Sequence, residues 1–111
     1  MEDIESLFEL HGRVEQLILD DALFDHLLER GFYDRHAVSF EEILSVHLGA
    51  PRYFLNTGEG RSAPLIMVGP TQQGRFLLVP MVPSGQWGTW RPITAFEANT
   101  HHRARYKEEQ L

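Results

Sequence analysis

Cysteine is absent from the 111 residues, which removes disulfide scaffolding, thiolate nucleophiles and every cysteine-based zinc site from consideration. Long apolar runs are missing as well: no stretch approaches the roughly 20 residues that cross a bilayer. The acidic opening MEDIESLFEL has neither the basic start nor the apolar middle of a signal peptide. A cytoplasmic protein with no membrane segment is the expectation. A phosphate-cradling loop is not found, because Gly58 and Gly60 are followed by no Lys-Ser or Lys-Thr pair and open no helix. Ser39 and Ser84 stand in no nucleophile-elbow motif. No HExxH pair occurs, and His101 or His102 would have to find a carboxylate without ligand spacing to guide it. Neither a metal nor a cofactor is expected.

What remains is an ordinary globular composition, 42% hydrophobic and 23% charged, in a length that suits a single domain. Residues 1–12 read as an N-terminal extension and 13–110 as the core. Acidic side chains are concentrated at the front. Residues 1–48 hold 12 acids against 3 arginines, a balance of −9, whereas residues 49–111 hold 4 acids against 7 bases, a balance of +3, which together make the net −6. A basic surface on the second half suits phosphate, and the acidic half disfavours a long wrap of nucleic acid, so any such contact is local. The alternative is that the two halves lie close and neutralise each other.

Periodicity divides the chain further. Ile4, Leu7 and Phe8 have helical spacing, and Val14 to Leu19 is a candidate short strand. Asp20 or Asp21 then caps a helix in which Leu23, Phe24, Leu27 and Leu28 repeat until Gly31 stops it, predicting a helix from Asp21 to Arg30. Ser39 and Glu42 form a capping box ahead of an apolar stripe of Phe40, Ile43, Leu44 and Leu48. After Pro51 come short β-like runs, RYFLN, PLIMVG, RFLLVPMV and WGTWRPIT, separated by glycine-containing breaks that suit hairpins. Pro80, Pro83 and Pro92 cannot donate to a ladder and place their strands at edges, at bulges or in one-sided pairing. Thr94 and Glu97 read as a second capping box, opening a helix from Ala95 to about Glu109. The expected fold is α+β: two N-terminal helices, a roughly four-stranded antiparallel meander and a C-terminal helix, with room for an extra N-terminal strand.

In this order, RHAVSFEEILSV, GRFLLVPMV and WRPITAFEANTHHRARYKEE resemble the BrnT-type ribonuclease toxins of the RelE-like group in bacterial toxin–antitoxin modules. In that family a KHG-V-SFEEA helix start precedes a meander, and an R-I-ITAR-A…ERR-Y segment closes the chain. The resemblance runs from about Val14 to Glu109. It implies RNA cleavage without a metal and, as natural partner, a small antitoxin of ribbon-helix-helix type, in a hetero- or homo-oligomer. His36 corresponds to the histidine of the family's KHG stretch. Phe96 stands where the family pattern has arginine after ITA, and Arg35 replaces its lysine.

Metal-independent RNA cleavage needs a base for the ribose 2′-hydroxyl, an acid for the departing 5′-oxygen and a cation for the phosphorane. If residues 95–109 are helical, positions 98, 101, 102 and 105 share one face, so His101, His102 and Arg105 converge as catalytic candidates. Arg91, on the preceding strand, is the second cation. His36, Trp90, Arg103, Tyr106 and Lys107 are candidate RNA contacts. Each has a plain competitor: the histidine pair as a solvated surface, His36 as a turn residue, Tyr106 as packing, and Trp87, Trp90 and Tyr53 as core or sheet-surface aromatics. A non-catalytic interaction module, using the acidic half or an exposed sheet edge, is the rival class.

Overall fold

The computed structural model describes residues 3–34, 37–56 and 63–108. Its first helix, α1 (Ile4–His11), starts where the Asp3 carboxylate accepts the Ser6 N–H at 2.8 Å and ends at Gly12, whose φ of 83° favours glycine. A Cβ at Gly12 would also stand 2.5 Å from the Gly88 nitrogen, so this position brings α1 hard against the last hairpin. The short strand β1 (Gln16–Leu17) lies inside the expected Val14–Leu19 segment.

Helix α2 (Asp21–Asp34) is capped by Asp20, whose carboxylate accepts the Leu23 N–H at 3.0 Å. It continues through Gly31 for a further turn, where the sequence suggests a stop at Arg30. Glycine costs about 1 kcal/mol in a helix interior but does not forbid helical dihedrals. Helix α3 (Phe40–Leu48) has the expected capping box, with both Ser39 and Glu42 engaged. Its buried face differs from the expected stripe. Ile43 and Val46 are fully buried, whereas Leu44 is 38% and Leu48 78% exposed, because the helix rolls to set Ile43 and Val46 on the sheet.

The strands β2 (Arg52–Leu55), β3 (Leu65–Pro70), β4 (Phe76–Pro83) and β5 (Thr89–Pro92) form the antiparallel meander. The mixed sheet has the order β1-β5-β4-β3-β2, with β1 parallel to β5. A sixth strand, β6 (Phe96–Glu97), pairs with β4 on the same edge as β5. Pro80 falls in the gap between the two, opposite neither, which is where a residue without an N–H is tolerated.

Residues 95–99 therefore depart from the expected helix. Phe96 and Glu97 are strand, paired with Leu78 and Leu77, and helix α4 spans Thr100–Glu108. Its cap is Asn99, whose Oδ1 accepts the His102 N–H at 2.9 Å. Thr94 is not a cap: its hydroxyl is hydrogen-bonded to His26 Nε2 at 2.9 Å.

Two apolar clusters follow from strand alternation. Leu65, Met67, Leu77, Val79, Met81 and Trp90 face α1, α2 and α3, while Phe54, Ile66, Val68 and Leu78 face Ala98 and Tyr106 near and on α4. The architecture is α+β, with N-terminal helices on one sheet face and the C-terminal helix on the other.

Candidate nucleic-acid interface

Helix α4 is built from THHRARYKE, with no acid before Glu108. Only one of its side chains, Tyr106, is buried. The Tyr106 ring meets Phe76 edge-on at 5.2 Å, and its hydroxyl donates to the Ala50 carbonyl at 2.6 Å. Anchored there, the helix crosses the sheet from the start of β4, where Ala98 N–H bonds Phe76 O at 2.9 Å, toward the start of β2. Tyr106 is thus a structural pin, with its hydroxyl spent on backbone and unavailable to RNA.

The cations lie over aromatic faces. The Arg105 guanidinium sits 4.3 Å from the Phe54 ring centre and Arg103 5.2 Å from that of Phe76, arrangements that hold the side chain while leaving donors outward. Lys107 and His101 are exposed. Arg52, two residues before Phe54 and therefore on the same sheet face, adds a charge that the sequence reading did not single out. Its signal was the alternation within RYFL, which ties Arg52 to the face of Phe54.

His101 and His102 meet with ring centres 5.5 Å apart. The His102 pKa is lowered from its ordinary 6.5, first by burial and then by the positive charges of His101 and Arg105. Its Nδ1 is shielded from solvent and has no hydrogen-bond partner among the described residues. At neutral pH the imidazole is therefore neutral and able to accept a proton. So His101, His102 and Arg105 do come together.

Arg91 and Trp90 do not join them. Arg91 lies opposite Val82 at the far end of β4, six residues from Phe76, which is roughly 20 Å at strand rise. Its guanidinium is hydrogen-bonded to the Asp20 carboxylate, and Asp20 is held below the ordinary carboxylate range, chiefly by the Leu23 N–H and also by Arg91. Arg91 thus ties β5 to the start of α2. Trp90 is fully buried, and its Nε1–H donates to Gly12 O at 3.0 Å; it is a core residue, not a stacking platform for bases. His36 lies outside the described residues. Among the described residues no group of three or more His, Cys, Asp or Glu side chains has metal-holding geometry.

No protein-family model, no curated protein and no solved structure matches this chain.

Proposed function

We propose that this domain is a BrnT-like ribonuclease toxin whose RNA-contacting surface is α4 together with Arg52 of β2. The observation that carries the reading is the neutral, partly shielded His102 imidazole beside His101 and Arg105. In the proposed reaction, His102 takes the 2′-hydroxyl proton and the 2′-oxygen attacks the adjacent phosphorus. Arg105 offsets the charge on the phosphorane. The bond to the 5′-oxygen then breaks, and that oxygen takes its proton from His101 as the general acid. Products are a 2′,3′-cyclic phosphate and a 5′-hydroxyl. Arg52, Arg103 and Lys107 hold flanking phosphates. The small ribbon-helix-helix antitoxin implied by the resemblance is the proposed partner.

A second reading, a binding module without catalysis, is favoured by one feature: Arg91 is committed to Asp20 and Phe96 packs against the second cluster, so no further cation stands beside the histidines from that strand. Induced expression with total-RNA integrity separates the two. The expected outcome is growth arrest with RNA loss, relieved by His102→Ala and retained by Arg91→Ala. Undisturbed growth with intact RNA for the wild type would reject the nuclease.

A further inference from the structure

A groove on the opposite side of the molecule is used by none of this chemistry. It lies between α2 and α3, has a volume of about 310 Å³, and is lined chiefly by Phe24, Leu27, Leu28, Ala37, Val38 and Phe40. Phe24 is 52% and Leu28 63% exposed, although both belong to the apolar periodicity of α2. The Phe24 and Phe40 rings meet edge-on at 5.8 Å, joining α2 to α3 along the groove. Large apolar side chains left open side by side in this way mark interaction sites.

Charge defines what would fill it. Asp21, Asp25 and Glu29 recur at i, i+4 and i+8 along α2, forming a stripe next to the Phe24–Leu28 stripe. Glu41 lines the groove from α3. Glu42 is already matched by Arg75 at 3.0 Å; among the described residues the other four carboxylates make no ion pair, and 14–29 and 37–51 hold no lysine or arginine, only His26 and His47, with Arg30 and Arg35 between the two stretches. An apolar floor with an acidic rim between two helices is complementary to a third helix bearing apolar residues on one face and lysine or arginine along its flank. The basic helix of a second copy, α4, is not such a helix: it has buried its large apolar side chain, Tyr106, and leaves polar positions and Ala104 outward.

We infer that the α2–α3 groove is a docking site for a cationic amphipathic helix of a partner protein. The site is separate from α4 and stands whether or not α4 cuts RNA. The probe is a synthetic peptide of about 18 residues, long enough to form a helix on binding, with leucine at i, i+3, i+4 and i+7 and lysine elsewhere. A matched peptide carries glutamate in place of lysine. Titrated into the ¹⁵N-labelled full chain, the lysine peptide is expected to shift the amides of residues 21–29 and 37–41, and the glutamate peptide to shift none. Leu28→Ser and the double variant Asp25→Lys, Glu29→Lys should each weaken binding about tenfold, within the range of interface hot spots. Both alter exposed positions, and an unchanged dispersed spectrum shows that the fold is kept. The proposal is overturned by absence of binding, by shifts mapping to other surfaces, or by equal binding of the glutamate peptide. It is equally overturned by light scattering that reveals a dimer dissociated by Leu28→Ser, which would assign the groove to a second copy.

Discussion

Trp87 and Trp90 stand three residues apart in one hairpin and meet opposite fates. Trp90 is completely enclosed with its indole N–H satisfied by Gly12, whereas Trp87 is 65% exposed. Nothing in GQWGTW distinguishes them, because the difference arises from α1, which sets Phe8 and His11 edge-on against the Trp90 ring. His101 and His102 differ for a comparable reason: consecutive helix positions point about 100° apart, so one is exposed and the other partly covered. His102 has a folded pKa below its unfolded value. In the window just below the ordinary 6.5 the unfolded chain binds more protons there, so this residue's contribution to stability declines as pH falls through that window and is fully retained above it. An NMR titration of the imidazoles should place the His102 midpoint below 6.5, and His102→Gln should remove that part of the acid destabilisation seen by denaturant melts.

The stretch from Thr94 to Glu108 shows where pattern reading of an element breaks down. Thr94 and Glu97 have the spacing of a capping box, and Asn99, a strong cap in its own right, lies two residues later. The choice between them depends on β4. Beyond the gap at Pro80, its edge offers unpaired groups opposite Leu77 and Leu78, and Phe96–Glu97 takes them as strand. Phe96 gains contact with the second cluster in the process. The helix then begins five residues later, from Asn99. Asn99→Ala is expected to cost about 1 kcal/mol in denaturant unfolding, the usual loss for an N-cap. A measured change near zero would return the start of the helix to Thr94. By contrast, the Ser39–Glu42 box competes with no neighbouring strand and forms as its spacing predicts.

Among the described residues the acidic and basic halves of the chain meet at the ion pairs Arg75 with Glu42 and Arg91 with Asp20, so part of the charge asymmetry in the sequence is neutralised on folding. Arg103, Arg105 and Lys107 escape this because α4 is on the other side of the sheet from α2 and α3. That helix also seals a cluster of its own: Phe54, Ile66, Val68 and Leu78 are each at most 5% exposed beneath it and its neighbours. Loss of such cover exposes contiguous apolar surface. A chain ending at Asn99 is expected to melt without a sharp transition and to bind a hydrophobic dye, while Tyr106→Phe should remain folded and lose only about 1–2 kcal/mol with the hydroxyl bond to Ala50. A cooperative melt of the truncated chain would show that the first cluster suffices.

Local chemistry determined a good deal by itself. The α+β class, the meander, the α3 cap and the short strand near Val14 all follow from nearest-neighbour patterns, since period, turn residues and caps act within a few positions of themselves. The candidate site was legible only where its members share one helix, as with His101, His102 and Arg105. Arg91 and Trp90 looked equally suited to it, being close in sequence and right in residue type. Tertiary structure decided otherwise, because Asp20, 71 residues away, takes the charge of Arg91, and Gly12, 78 residues away, takes the indole N–H of Trp90. The exposed groove has the same origin: the periodicity of α2 marks Phe24 and Leu28 as apolar, and only the packing of α3 determines that they remain uncovered.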